Sequence, residues 1–230
     1  MEYVNKCNMK LISYNCRGFN SYKSVYICHL LQTCDILFLQ EHWLSEGQLS
    51  ILDSVSGTHS ASGICGFDSK QVLTGRPYGG CAIFWRRDWG MHVSVVDTKH
   101  NRVCAIRLYN ADVNLLLVNV YMPCESDEVA HDDFCSVLSV VASISESFPD
   151  AMLILGGDLN VDISRDTTHT SEFVRFCREL NMLSVNQHPK SKVDFTYFNM
   201  KRFSIIDHFV LPAYIFERCI DQVAVIHDNI

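Results

Sequence analysis

Three short runs of apolar residues, each stopping at polar groups, constrain this chain more than any other feature. They are Asp35 to Glu41 (DILFLQE), Asn114 to Pro123 (NLLLVNVYMP) and Ala151 to Leu155 (AMLIL), the last halted by Gly156 and Gly157. Runs this short and uniformly apolar suit strands covered on both faces, because a half-exposed strand would alternate with polar residues. Such strands need packed layers above and below them. MKLISYNC from Met9, GGCAIFW, MHVSVVD, NRVCAIRLY, DFTYFNM, FSIIDHFVL and CIDQVAVI add further strand candidates.

Helical spacing shows at Ser24 to Cys34, Asp127 to Phe148 and Ser171 to Leu180. Strands outnumber helices, and no linker, repeat or low-complexity tract divides the 230 residues. The expected fold is α/β (α+β): a single domain over 1–230 built as a two-layer β sandwich flanked by helices, rather than a Rossmann-like alternation.

Composition narrows the classes. At 48% hydrophobic and 20% charged the chain can bury a sizeable core, which excludes global disorder. The eleven cysteines are scattered, without a CxxC pair or zinc-like spacing to histidine, and so read as reduced, mostly buried thiols of an intracellular protein. Apolar runs such as Leu115 to Val118 are far too short to cross a membrane. GRPYGG lacks the Lys-Ser/Thr of a nucleotide-binding loop. A net charge of −7 means that contact with a polyanion must be local rather than global.

Polar residues gather where the apolar strands end: Asn15, Gln40, Glu41, Tyr121, Asp158, Asn160 and Asp207. Three carboxylates with an Asn and a Tyr form the oxygen-rich set that Mg²⁺ and a phosphodiester require. Each residue also has a plain structural reading. Asn15 could cap the turn at Arg17–Gly18, Glu41 could cap a helix near Ser45, Asp158 could be a turn aspartate, and Tyr121 could be a core-edge tyrosine. Asp207, amid Ile205, Ile206 and Phe209, needs a partner if buried.

Order and combination carry further than any one motif. N-C-R-G, Q-E-H-W, N-V-Y-M-P, G-G-D-L-N, F-T-Y-F and S-I-I-D-H-F, in that sequence, resemble the endonuclease/exonuclease/phosphatase superfamily, closest to the endonucleases of LINE-type (non-LTR) retrotransposons. The resemblance runs from Lys10 onward and implies a deoxyribonuclease I-like fold. It implies Glu41 as the main Mg²⁺ (or Mn²⁺) ligand, supported by Asn15 and Gln40, and Tyr121 as a hydrogen-bond partner of the scissile phosphate. Asp158 would activate the attacking water or manage the leaving group's proton. Asn160 would stabilise transition-state charge, Thr196 would support the phosphate region, and Asp207 would orient a histidine.

Two departures qualify the resemblance. Repair-type apurinic endonucleases carry an acidic residue two positions after the first Asn; here it is Arg17, which favours the retrotransposon branch over the repair one. The family closes its site with a Ser-Asp-His triplet, expected to begin about where this chain ends, and His227 reads as part of the loop leading to it. The implied partners are DNA and a downstream reverse transcriptase domain, with no membrane. The protein is expected to be a monomer that is nuclear when it acts. The short 199–203 turn predicts little base readout, and Arg86–Arg87 and Lys201–Arg202 read as solvated turns.

Overall fold

A computed structural model describes residues 9–67, 75, 77–125, 128–200 and 202–226. Four strands form one sheet: β1 (Leu11–Asn15), β2 (Ile36–Gln40), β3 (His59–Ile64) and β4 (Cys81–Arg86), ordered β1-β2-β4-β3. Six form the other: β5 (His92–Val96), β6 (Val103–Tyr109), β7 (Asn114–Tyr121), β8 (Met152–Asp158), β9 (Met182–Ser184) and β12 (Asp207–Pro212), ordered β5-β6-β7-β8-β12-β9. A separate hairpin pairs β10 (Tyr197–Asn199) with β11 (Arg202–Ser204).

The apolar runs fall where two-sided burial demands. Every residue of β2 is buried, and Leu115 to Val120 of β7 are buried without interruption. Between the sheets lie Ile36, Phe38, Cys81 and Ile83 from one and Ile106, Leu117 and Ile154 from the other. The outer face of the first sheet is covered by α1 (Ser21–Leu31) and the one-turn α2 (Ser50–Asp53). The outer face of the second is covered by α3 (Glu128–Ser147) and α4 (Thr168–Glu179). The result is the two-layer sandwich between helices that the sequence predicts. Caps set the helix starts: Asn20 accepts the amide of Lys23 at 3.0 Å, starting α1 ahead of the apolar periodicity, and Thr167 accepts that of Thr170 at 3.2 Å. The ten described cysteines are all free thiols.

Three local expectations are corrected. β8 does not stop at Gly156–Gly157 but runs through them to Asp158. Gly is required there because neighbouring groups occupy the Cβ positions: at Gly157 (φ +127°) a Cβ would lie 2.1 Å from the Val120 carbonyl oxygen, and at Gly156 it would lie 2.5 Å from the Phe209 ring. FSIIDHFVL is two strands, broken at Ile205–Ile206, where the Thr196 hydroxyl takes the amides of Ile206 and Asp207 at 2.9 and 3.1 Å. CIDQVAVI is not a strand. After Pro212 the chain forms a helix, α5 (Ala213–Cys219), whose Phe216 packs on Val185 and Ile220, and among the described residues beyond it only an isolated bridge joins Ser191 to Val223. β3 escaped notice because HSASGI has too few large apolar side chains to look like a strand.

Candidate active site

Sheet register assembles the site. In the second sheet β7, β8 and β12 are neighbours, and their pairing sets Tyr121 opposite Asp158 and Asp158 opposite Asp207. In the first sheet Asn15 pairs with Gln40, which places Glu41 just beyond. One side chain then ties the two sheets. The Asn15 amide donates to Glu41 Oε1 at 2.8 Å and to Asp158 Oδ2 at 2.9 Å. Its carbonyl oxygen accepts the Arg17 amide at 3.1 Å, so the residue caps its turn and bridges the sheets at once.

The other carboxylate oxygen of Glu41 accepts from Trp43 Nε1 at 3.1 Å, and the Tyr121 hydroxyl bonds to the same carboxylate. Asn160 reaches back with its amide N–H to Asp158 Oδ1 at 3.2 Å and with its side chain to the Met122 carbonyl at 2.8 Å. Arg17, Glu41, Trp43 and Asn160 all have left-handed backbones (φ +47°, +54°, +60° and +51°), leaving only Lys99 and Asn181 as such non-glycine residues elsewhere among the described ones. Concentrated strain of this kind is characteristic of sites held in a set geometry.

Burial dominates the electrostatics. It raises the Asp158 carboxyl, against the opposing hydrogen bonds from Asn15 and the Asn160 amide. It raises Asp207 further, with the neighbouring Asp158 charge adding to it and the Thr196 hydroxyl and Arg17 opposing. Two carboxyls abreast on adjacent strands resist ionising together, so the pair keeps a proton into the neutral range. Tyr121 is held as the neutral phenol, chiefly by burial and then by the Glu41 and Asp158 charges.

The donor set is oxygen throughout: Glu41, Asp158, Asp207 and the Asn15 amide. Among the described residues, no three His, Cys, Asp or Glu side chains close on one point. That suits a hard cation such as Mg²⁺, held by one or two carboxylates and completed by water and substrate phosphate, better than an all-protein cage. Two adjacent carboxyls retaining a proton also fit the group, because a divalent cation relieves the same repulsion.

Not every residue singled out from the sequence faces this cleft. Gln40 is fully buried, with its amide spent on Asn119 Oδ1 at 2.7 Å and Ser13 Oγ at 3.2 Å, so it lies beneath the site rather than against a substrate. Thr196 acts on the backbone of β12 and on the Asp207 carboxyl. Arg86, at the end of β4, and Arg87, in the turn after it, are solvated as expected, and form surface ion pairs with Asp35, Asp88 and Asp53. His169 is buried with neither ring nitrogen hydrogen-bonded, its ring stacked on Phe134 at 4.2 Å. His227 and Lys201 lie outside the described residues.

Sequence reading missed Trp43, two residues past Glu41, and Asn119, whose signal was a lone amide inside LLLVNV. Arg17 gains a role too: its guanidinium stands 5.6 Å from the Tyr197 ring, joining the first turn to the β10–β11 hairpin. Beside Tyr121 opens a cavity of about 500 Å³ lined in part by Tyr78, Arg102 and Cys124, with the Arg102 guanidinium 5.5 Å from the Tyr121 ring.

Strand ends that deliver carboxylates, amides and a neutral phenol to one cleft suit the hydrolysis of a phosphoester. The sequence agrees with the geometry. Residues 12–216 match the Endonuclease/Exonuclease/phosphatase family, and the chain belongs to it. Comparison with curated proteins finds no match.

Solved structures share the fold at low identity. The endonuclease domain of TRAS1, a telomere-specific non-LTR retrotransposon, aligns with TM-score 0.65 and 14% identity over 90% of this chain and 86% of that one. The AP endonuclease LMAP from Leishmania major gives 0.69 and 15% over 90% and 80%. The 3′ phosphatase NExo from Neisseria, bound to a product DNA hairpin, gives 0.63 and 19% over 90% and 88%. The deoxyribonuclease I-like architecture is therefore established. Among the described residues no helix is long and apolar enough to cross a membrane.

Proposed function

We propose that the protein is a Mg²⁺-dependent DNA endonuclease of the non-LTR retrotransposon type, which nicks one strand and leaves a 3′-hydroxyl primer for reverse transcription. The observation that carries the reading is the β10–β11 hairpin. Its strands present Phe198 and Phe203 at 53% and 60% exposure, stacked with ring centroids 4.6 Å apart, and Met200 at the turn is 98% exposed. The base of the hairpin is tied to the site by the Arg17–Tyr197 contact, and Arg165 braces it through the Phe203 carbonyl at 3.0 Å and Ser204 Oγ at 2.8 Å.

An exposed aromatic hairpin beside a phosphoesterase cleft suits a polymer with stacking faces, because such side chains wedge between or stack on bases. A small phosphoester would not reach it. The turn between the strands is short, as the sequence predicts, but its apolar content supports contact with bases as well as with phosphates.

In this reading the bound cation supplies charge neutralisation at the phosphate and eases ionisation of the attacking water. Glu41 holds it, kept in place by Asn15 and Trp43. Asp158, buried and hydrogen-bonded to Asn15, accepts a proton from the attacking water, and as the phosphorus–oxygen bond breaks the departing 3′-oxygen takes its proton from solvent. Tyr121, neutral, donates to a phosphate oxygen, and Asn160 donates toward charge that develops there. Asp207 shares the proton of Asp158 and so tunes its basicity.

The discriminating experiment replaces Phe198 and Phe203 together by alanine. Plasmid nicking is expected to fall roughly 10-fold or more, since base–aromatic stacking contributes about 1–3 kcal/mol per base. Hydrolysis of bis(4-nitrophenyl) phosphate, too small to reach the hairpin, should stay within about 2-fold. Plasmid nicking that stays within about 2-fold of wild type would remove the hairpin from substrate binding and turn the reading toward a small-molecule phosphoesterase.

A further inference from the structure

Beneath the cleft lies a second set of polar side chains, which the catalytic scheme does not use. Ser13, Gln40 and Asn119 form a chain. Ser13 Oγ and the Gln40 side chain exchange contacts at 3.2 and 3.4 Å, and Gln40 Nε2 donates to Asn119 Oδ1 at 2.7 Å. The Asn119 amide donates across the sandwich to two carbonyls of the opposite sheet, Leu39 at 2.9 Å and Ala82 at 2.8 Å. Gln40 and Asn119 are fully buried.

Position in the strands gives the layer its meaning. Ser13 is two residues before Asn15 on β1, and Asn119 is two before Tyr121 on β7, so each shares a strand face with a site residue. Gln40 immediately precedes Glu41. Glycine at 157 makes the approach possible, since a Cβ there would come within 2.8 Å of Asn119 Oδ1. The apolar core on either side would tolerate small slides of one sheet over the other, as non-directional packing does. Three directional bonds from one side chain do not.

We infer that Asn119, fixed by Gln40, is a positioning residue: it locks the register of the two sheets directly under the cleft, so that Asn15 and Glu41 on one sheet meet Tyr121 and Asp158 on the other. The inference rests on the phosphodiesterase reading but not on DNA as the substrate. Misplacement of reacting groups by about 1 Å can lower a rate on the order of 10²-fold, and loss of the lock acts on that geometry.

The test compares Asn119→Leu, Gln40→Leu and the double variant, with thermal unfolding and with kcat and KM on bis(4-nitrophenyl) phosphate in Mg²⁺. Each single change strands a buried amide and should lower the Tm. The double change removes both amides, and its Tm should recover most of the loss. Its kcat should nevertheless stay about 10-fold or more below wild type, at a KM within about 2-fold. A double variant with wild-type kcat would overturn the inference and leave the layer a purely structural feature. Asn119→Ser supplies the same decision should the double variant not fold: reduced kcat at unchanged KM supports the lock, and unchanged kcat overturns it. The wild-type arm separately tests the phosphodiesterase reading, and plasmid nicking by wild type tests DNA as the substrate.

Discussion

Replacing Asp158 by alanine is expected to slow phosphodiester hydrolysis by about 10²–10⁴-fold, the usual contribution of a positioned general base. Asp158 is in contact or in register with four other site residues. It receives the Asn15 amide from the opposite sheet at 2.9 Å and the Asn160 amide at 3.2 Å, and it pairs in register with both Tyr121 and Asp207. Burial raises its carboxyl from the ordinary range, which moves it toward the neutral pH where a base works best. Alanine removes the proton acceptor and also frees the Asn15 amide that steadies Glu41. The loss should therefore appear mainly in kcat, measured by supercoiled-plasmid nicking under single-turnover conditions. A fall of less than about 10-fold would move the base to another group.

Asp207→Asn should stabilise the fold at neutral pH while lowering activity. The Asp207 carboxyl is raised in the folded state, first by burial and then by the Asp158 charge. A folded-state value above the unfolded one means that the native chain binds more protons, so unfolding free energy falls as pH rises. The stability is complete below the unfolded carboxylate value of about 3.9 and is lost as pH climbs through the raised folded-state range. Asparagine keeps the shape and removes the titration. With buried carboxyls shifted by up to about 3–5 units and each unit worth about 1.4 kcal/mol, the variant should gain up to about 4–5 kcal/mol at pH 8 in EDTA. The gain should shrink toward zero near pH 4. Urea unfolding across that range is the measurement, and a pH-independent difference would show that Asp207 carries no excess proton.

Strand placement was legible because two-sided burial leaves a plain signature: DILFLQ, NLLLVNVY and AMLIL need no tertiary context to stand out. The site residues were legible because they cluster where those runs stop. Register was not. That Tyr121, Asp158 and Asp207 lie abreast follows from β7, β8 and β12 being neighbours, a long-range pairing that no local pattern encodes. Gly156–Gly157 looked like a strand stop because their purpose, clearing space for Phe209, Val120 and Asn119, lies on other strands. Gln40 reads as a support of Glu41 because it adjoins it, but β2 is buried on both faces and the Gln40 amide is spent on the Asn119 side-chain carbonyl in the core. α5 was hidden by the apolar residues after it.

The central claim is that this cleft cuts a DNA strand and leaves an extendable end. Supercoiled plasmid incubated with the protein in Mg²⁺, then offered to a DNA polymerase with labelled nucleotides and no prior end treatment, tests it directly. The account predicts relaxed circles that incorporate label at the nick, and neither relaxation nor label with EDTA or with Asp158→Ala. Intact plasmid, together with rapid release of inorganic phosphate from small phosphomonoesters by the same preparation, would contradict it.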